Sequence, residues 1–312
     1  MKILIFTNSS LFVKIVSELV KHAQLVGIVI PEMENHDLFS TIEYADNQSV
    51  PLLKVSDADL QETDKVDSFI LNTGCSVSLV MTFPFKLPER ILNISGKGMF
   101  NVHFSKLPSY KGADPLFWQL KNGLKEVSLS IHKMTSEFDE GPISFSKELL
   151  LFPGENYGLV KTRLALLMLN NLREILQNIL TGKYIAVTSS VRNSYYKRPR
   201  VEDLTINWEK QSAQEIENLV NAANPIYNGA ITYLQGQQIQ VLEVSGVDGA
   251  FEPGTILPGT IFHIDQYHGP MVYTADRQLL LLNVVATENG VFSGKKLCAM
   301  GLKQGDVFKN LN

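Results

Sequence analysis

Short apolar runs alternate with helical spacing at the start of the chain. Residues 2–7 are mostly apolar and turn polar at their end, which is typical of a buried parallel strand. Ser9 and Ser10 can cap a helix, because apolar residues then recur every three or four positions from Leu11 to Val20. Residues 25–31 predict a second strand. The pattern therefore predicts a strand–helix–strand unit.

The same alternation continues through the next 150 residues. It predicts strands over 79–83, 99–104 and 127–134, a helix near 115–122 and one long helix over 157–180. The predicted fold class is α/β, with a Rossmann-like, mostly parallel sheet. The turn after the first strand lacks the GxGxxG pattern of dinucleotide-binding proteins, so a dinucleotide is not indicated.

The pattern changes after residue 190. Residues 193–200 are polar, basic and interrupted by proline, which predicts a linker over 190–204. A short helix over 212–223 precedes a hairpin of strands 230–234 and 239–244. Pro253-Gly254, Pro258-Gly259 and Gly269-Pro270 separate further short strands. We therefore predict a catalytic domain over 1–189 and a small, OB-like β-barrel over 205–312.

Composition narrows the class of protein. The chain has 312 residues, of which 45% are hydrophobic and 19% charged, so it is globular rather than disordered. Two distant cysteines, Cys75 and Cys298, predict neither a disulfide framework nor a zinc site. No signal peptide or membrane span is indicated, and we expect a cytoplasmic protein.

Charge argues against a general nucleic-acid-binding role. The formal net charge is −4, and acidic residues outnumber basic ones twelve to seven over residues 200–312. A nucleic acid would have to bind that part of the chain against its field. Lys197, Arg198 and Arg200 form a small basic group, which is interpreted either as a solvated linker or as a phosphate contact.

Candidate chemistry lies in the strand over 99–104. Residues two apart on a strand share a face, so Asn101, His103 and Ser105 point the same way. Polar side chains on a buried strand are costly unless they meet polar partners or a cleft. An acidic loop containing Asp139 follows the next strand. Each residue alone favours a structural role, but the two segments together predict a site at the end of the sheet.

These segments resemble the folate-dependent formyltransferase family. The family's pattern stands here as Asn101-x-His103, then Ser105-x-Leu107-Pro108 with Gly112, and later Asp139-x-Gly141. Residues 206–208 and 224–230 resemble the C-terminal barrel of methionyl-tRNA formyltransferases and of longer sugar N-formyltransferases. The resemblance implies an enzyme that moves a formyl group from 10-formyltetrahydrofolate to a primary amine.

The resemblance also implies roles for individual residues. Asn101 would stabilise the oxyanion, a protonated His103 would add charge or donate a proton, and Asp139 would keep His103 protonated and relay a proton. No metal is implied. The residues implied in folate binding are Met81, Thr82, Phe83, Phe85, Ser105, Leu107, Pro108, Gly112 and Gly141.

The acceptor amine is the least determined part of the prediction. Lys106, Asp114, Glu140 and the Phe83-Pro84 pair depart from the family's usual residues. The loop over 31–37 is short and acidic, which disfavours tRNA. We expect a small amine such as a nucleotide-linked amino sugar, and initiator tRNA is the alternative.

Other readings and the remaining partners stay open. Rival classes are a formyltetrahydrofolate hydrolase and a catalytically silent folate-binding protein. Phe117 and Trp118 would either pack in the core or shape the acceptor pocket. The barrel would be structural or form a dimer surface, so an oligomer is possible.

Overall fold

The computed structural model describes residues 1–33, 35–186, 195–247 and 256–310. Part of the predicted linker (190–194), Glu34 of the acidic loop and the Pro253-Gly254 pair lie outside them. The chain divides into two compact units. The first comprises Met1–Gly112, Val127–Leu149 and Thr162–Tyr195, and the second comprises Ala113–Glu126, Leu150–Lys161 and Tyr196–Asn312.

Fifteen strands and eleven α-helices are present in the described residues. The strands are β1 (Ile3–Thr7), β2 (Leu25–Pro31), β3 (Leu52–Val55), β4 (Val77–Met81), β5 (Met99–His103), β6 (Lys111–Gly112), β7 (Glu126–Lys133), β8 (Ile143–Leu150), β9 (Tyr195–Tyr196), β10 (Ala230–Leu234), β11 (Gln237–Val247), β12 (Ile261–Asp265), β13 (Gly269–Tyr273), β14 (Leu279–Thr287) and β15 (Gly290–Ser293). The helices are α1 (Val13–Lys21), α2 (Phe39–Asn47), α3 (Asp57–Glu62), α4 (Lys65–Thr73), α5 (Glu89–Leu92), α6 (Pro115–Lys121), α7 (Tyr157–Asn170), α8 (Leu172–Thr181), α9 (Val201–Leu204), α10 (Ala213–Ala223) and α11 (Lys296–Ala299).

A seven-stranded sheet forms the core of the first unit. Its strand order is β3-β2-β1-β4-β5-β7-β8. The strands from β3 to β5 are parallel, and β7 runs antiparallel to β5. All five residues of β1 and of β4 are buried, as expected for strands covered on both faces. The order reverses between β1 and β4, and ligands of open α/β sheets bind at such switch points, beyond the carboxyl ends of the strands.

The predicted unit of β1, helix and β2 is confirmed, with one local difference. The Ser9 side chain accepts a hydrogen bond from the Leu11 N–H, so Ser9 is the cap as predicted. The first turn, Ser10–Phe12, is a 3-10 helix, and α1 follows it directly. Ile15, Val16 and Leu19 are buried, which confirms the predicted apolar face.

Two sequence predictions are corrected. The strand predicted over 79–83 runs Val77–Met81 and is the fourth strand, because Leu52–Val55 already forms a strand beside β2. The single helix predicted over 157–180 is two helices, interrupted at Asn171. The Asn171 amide donates to the Leu167 carbonyl at 2.6 Å. The apolar stripe continues across the interruption, so periodicity alone did not reveal it.

The second unit contains a β-barrel closed by the end of the described chain. Its strands follow the order β10-β11-β14-β13-β12, with β15 paired to β14. Lys309 forms a bridge to Tyr233 of β10, and Val307 forms one to Thr260 next to β12. Between them, Phe308 stacks on Trp208 with 5.7 Å between ring centroids. Both parts of the predicted fold class, the parallel-rich sheet and the small antiparallel barrel, are therefore confirmed.

Of the glycine- and proline-containing pairs in the barrel, some lie in turns and others do not. Gln235 and Gly236 both have positive φ, 51° and 84°, which suits a two-residue hairpin turn between β10 and β11. Gly269-Pro270, in contrast, does not lie in a turn but begins β13.

Candidate active site

Strand β5 places the first two candidate residues. Asn101 lies opposite His132 in the antiparallel pairing with β7, and His103 lies opposite Ser130. His103 is 5% exposed, whereas Asn101 is half-buried. The Ser130 hydroxyl donates to the Ser105 carbonyl at 2.6 Å, which ties the end of β5 to β7. The alternation of the strand thus presents an amide and an imidazole together, as predicted.

Asp139 completes the cluster from the loop between β7 and β8. Its Oδ1 lies 3.5 Å from Asn101 Nδ2 and 3.6 Å from His103 Nδ1. Its Oδ2 accepts the Gly112 N–H at 2.9 Å. Asp139 has a φ of 56°, in the left-handed region that non-glycine residues rarely adopt. The structure therefore brings Asn101, His103 and Asp139 into one group.

His132 is a member of this group that the sequence analysis missed. It is buried, and its Nε2 lies 3.3 Å from both Asn101 Nδ2 and Asp139 Oδ1. Its Nδ1 lies 3.2 Å from the Lys133 carbonyl, which can only accept, so the Nδ1 proton is donated there. The period-two pattern Ser128, Ser130, His132 was the available signal. Its pairing with Asn101 depends on register, which the sequence does not show.

The electrostatics of His103 differ from the expectation. Burial lowers the pKa of His103, and this outweighs the opposing charge of Asp139. The lowered pKa favours a neutral imidazole in the resting site, whereas the resemblance implied a protonated one. Nε2 lies 3.0 Å from the Tyr110 carbonyl, so the neutral ring carries its proton there. The unprotonated Nδ1 faces Asp139 and is the atom that can accept a proton.

Asp139 is held ionised by its partners. Burial alone would raise the pKa of Asp139. In the acid range where Asp139 titrates, the charge of a protonated His103, the hydrogen bond of His132 and the Gly112 N–H oppose this and bring the pKa to about 2. A fixed negative charge beside His103 Nδ1 stabilises the imidazolium that forms when this nitrogen takes a proton. His103 can therefore act as a general base, because the negative charge of Asp139 compensates the positive charge that His103 gains.

The residues predicted to bind folate lie around two turns. Met81 ends β4 and is buried, and Thr82 follows with a φ of 58°. Phe83 and Phe85 are half-buried and meet edge to face at 5.7 Å. In the described part of the chain, no backbone hydrogen bond ties up the N–H groups of Phe83 and Phe85. These donors flank Pro84, which has none.

The second turn follows β5, and the contacts of its residues stabilise the turn itself. The Ser105 hydroxyl donates to the Ser109 carbonyl at 2.9 Å, and Leu107 is buried. Pro108 is half-buried after a cis peptide bond with Leu107. Folate binding by these residues and by Gly112 and Gly141 stays a prediction.

Gly141 is required by close packing. A Cβ there would come within 1.7 Å of the Lys133 carbonyl oxygen. Any side chain at this position would displace the loop that carries Asp139.

Three residues singled out for acceptor recognition have packing roles in the second unit. Phe117 is fully buried, and the Trp118 indole donates to the Lys197 carbonyl at 2.9 Å. Of the two interpretations of these aromatics, core packing agrees with these contacts. Asp114 caps α6 and accepts hydrogen bonds from the Tyr157 and Tyr227 hydroxyls at 3.2 and 2.6 Å.

Two further properties of the described residues concern metal binding and membranes. No group of three or more His, Cys, Asp or Glu side chains among them is arranged to hold a metal ion. None of the described helices is both long enough and apolar enough to span a bilayer.

Comparison with known proteins places the chain in a family. The family described as formyl transferase matches residues 1–175, and the formyl transferase C-terminal domain matches residues 199–299. The chain belongs to the formyl transferase family. It is accordingly an enzyme of the transferase class, and the predicted family is confirmed.

Curated relatives of this formyltransferase are methionyl-tRNA formyltransferases. The protein from Thermotoga maritima is 28% identical over 233 residues, which cover 74% of this chain and 71% of the relative. That from Dictyoglomus thermophilum is 32% identical over 207 residues, 66% of this chain and 65% of the relative.

Solved structures share the fold at low identity. WlaRD, a sugar 3N-formyl transferase solved with dTDP and 5-N-formyl-THF, gives a TM-score of 0.65 at 13% identity, covering 90% of this chain and 96% of WlaRD. HypX from Aquifex aeolicus in complex with tetrahydrofolic acid gives 0.65 at 13% identity, and the match covers 97% of this chain. The formyltransferase spans about half of HypX, 48% of its length.

Proposed function

We propose that this formyltransferase transfers the formyl group of 10-formyltetrahydrofolate to a primary amine. The observation that carries the proposal is the convergence of Asn101, His103 and Asp139, with Asp139 Oδ1 within 3.6 Å of the other two side chains. An amide donor, a neutral imidazole and an ionised carboxylate are the groups that amine acylation needs.

Asn101, His103 and Asp139 each perform a different part of the reaction. When the amine attacks the formyl carbon, Asn101 Nδ2 donates to the oxygen on which negative charge gathers. His103 Nδ1 takes the proton that the amine loses, and Asp139 stabilises the resulting imidazolium. As the bond from the formyl carbon to the folate nitrogen breaks, His103 returns the proton to that nitrogen. The proton and charge therefore balance over one turnover.

The segment after β4 fits a folate ring. A pterin presents N–H and C=O groups along one edge, and the N–H groups of Phe83 and Phe85 are available to pair with such an edge. The half-buried aromatic side chains supply apolar surface next to them. Met81, Thr82, Phe83 and Phe85 would thus hold the donor chiefly through the backbone. The donor supplies the activated formyl group.

A small-molecule amine, such as a nucleotide-linked amino sugar, is the acceptor we favour. The net charge of −4 and the acidic loop after β2 disfavour a polyanion. Asp37 in that loop is tied to the Ser9 hydroxyl at 2.5 Å, so its carboxylate stays at the end of β1. A structure of similar fold, from Helicobacter canadensis, was solved with folinic acid and dTDP-3-aminofucose.

Initiator tRNA is the second candidate acceptor. It is favoured by the sequence relatives, methionyl-tRNA formyltransferases that are 28% and 32% identical. The two acceptors differ sharply in charge, so salt separates them: each phosphate contact to a tRNA weakens binding as ionic strength rises.

One assay tests both candidates and the rival classes. Purified protein receives 10-formyltetrahydrofolate with charged initiator tRNA, with a panel of nucleotide-linked amino sugars, or with buffer alone, and tetrahydrofolate release is followed. Release with an amino sugar supports the proposal, and release with tRNA alone overturns the preferred acceptor. Release in buffer identifies a hydrolase, and folate binding without any release identifies a silent binding protein.

A further inference from the structure

The loop that carries Asp139 is held at three consecutive residues. Asp139 accepts the Gly112 N–H at 2.9 Å, and Glu140 Oε1 lies 2.8 Å from Lys111 Nζ. Gly141 packs directly against β7. The two polar contacts join neighbouring residues on each side, since Lys111 precedes Gly112 and Glu140 follows Asp139. The ion pair therefore lies next to the hydrogen bond that holds the Asp139 carboxylate.

The ion pair is unusual in its burial. The Lys111 side chain is 4% exposed, whereas that of Glu140 is 49% exposed. A lysine is rarely this buried without an anionic partner, because desolvating an ammonium is costly. Glu140 supplies the charge from the solvent side. A second pair in the same unit, Lys106 with Glu148, is exposed on both sides at 66% and 47%, and such exposed pairs contribute little.

Asp139 needs support of this kind. Its φ of 56° costs free energy for a residue with a side chain, and such conformations persist only where the surroundings enforce them. If the loop relaxed, the carboxylate would move away from His103 Nδ1, now 3.6 Å distant.

We propose that Lys111 and Glu140 form a positioning ion pair that keeps Asp139 in its catalytic orientation. Both are positioning residues, since neither is placed against the reacting atoms. This inference rests on the proposed function for its effect on turnover, although the geometry of the pair can be measured without any reaction.

The test compares Glu140→Gln with the matched control Glu148→Gln. Each removes one charge from a lysine–glutamate pair of the same unit, and only the first pair borders Asp139. We expect Glu140→Gln to lower kcat about tenfold, because small misplacements of a catalytic group are costly, with KM for the donor unchanged. Glu148→Gln should leave both constants at the wild-type values.

A second readout follows the Gly112 amide directly. Its hydrogen exchange, measured by NMR on the full chain without substrate, reports the bond to Asp139. We expect faster exchange at Gly112 in Glu140→Gln and none of this change in Glu148→Gln. Lys111→Arg keeps the cation and should preserve both readouts, whereas Lys111→Met should reproduce Glu140→Gln.

The outcomes separate the two proposals. Equal kcat and equal Gly112 exchange in Glu140→Gln and Glu148→Gln would overturn the positioning pair. Altered exchange in a protein that formylates no amine would support the pair and reject the proposed function. Should Lys111→Met fail to fold, Glu140→Gln still decides, because its side chain is half-exposed and its shape is conserved.

Discussion

Two buried carboxylates, one in each unit, show how partners determine charge. Asp139 is 7% exposed and Asp114 is 8% exposed. Burial raises the pKa of Asp114, and its partners, two tyrosine hydroxyls, the Phe117 N–H and the charge of Lys161, do not overcome this. Burial acts the same way on Asp139, yet imidazoles and a backbone N–H lower its pKa to about 2.

The difference follows from the chemistry of the partners. A phenol donates a hydrogen bond but brings no charge, whereas an imidazole brings both a donor and a charge when it takes a proton. Asp114 is thereby suited to capping α6 and tying two tyrosines together. Asp139 is suited to a reaction in which a proton arrives beside it. Equal burial therefore does not imply an equal role.

The largest expected effect is a loss of turnover when Asp139 or a side chain next to it is replaced. Replacing Asn101, His103 or Asp139 by alanine should each lower kcat by about 10²–10³-fold, the usual loss for one such group. Release of tetrahydrofolate under saturating donor is the measurement, with circular dichroism to show that the variants are folded. Asp114→Asn serves as the matched control and should lose less than about tenfold. Near-wild-type turnover in His103→Ala would remove the mechanism.

The next effect concerns stability at Asp114. Asp114→Ala removes the cap of α6 and leaves the buried Tyr157 hydroxyl without its acceptor. We expect a loss of about 2–4 kcal/mol in the free energy of unfolding, from a lost cap and unsatisfied polar groups. Urea denaturation measures it. A loss below 1 kcal/mol would show that water replaces the carboxylate at low cost.

The smallest effect is on how the free energy of unfolding depends on pH. Asp139 and Asp114 contribute to this dependence with opposite signs. The pKa of Asp139 is lowered from 3.8 to about 2 on folding, so its ionised form stabilises the protein above pH 3.8. That contribution, about 2 kcal/mol at 1.36 kcal/mol per pKa unit, is lost as pH falls towards 2. The pKa of Asp114 is raised, so its contribution is full below pH 3.8 and is lost as pH rises through its folded-state pKa.

Urea unfolding between pH 2 and 7 tests this sign. Asp139→Asn should weaken the loss of stability in acid, and Asp114→Asn should weaken the loss on the alkaline side. His103 adds to the acid-side loss, because its lowered pKa destabilises the folded state as the pH falls below 6.5. Parallel pH curves for the two variants would contradict the assigned environments.

The sequence predicted this site where the signal was local. Asn101 and His103 share a face by alternation, and their polar character on a buried strand marked them. His132 was missed because its contact with Asn101 arises from the antiparallel register of β5 and β7. The lowered pKa of His103 was not anticipated, because it depends on burial, which a motif does not reveal.

The elements of the fold, like the site residues, were predicted where the sequence signal is local and strong. Long periodic segments such as α10, and the hairpin of β10 and β11, were predicted from sequence. Strand β3 was not, because four residues that include an exposed lysine give a weak pattern. The hydrogen bond that Asp114 accepts from the Tyr227 hydroxyl could not be predicted either, since Tyr227 is 113 residues away along the chain.

The bridges of Val307 and Lys309 have a consequence for how the protein matures. Translation delivers every strand of the first sheet by residue 150, but the barrel lacks its closing segment until residue 309 has been made. Until then the edge of β12 and the part of β10 around Tyr233 remain open to other chains, since Thr205 pairs only with Ile231. A nascent protein that stalls shortly before this point would expose Trp208 without its stacking partner, Phe308.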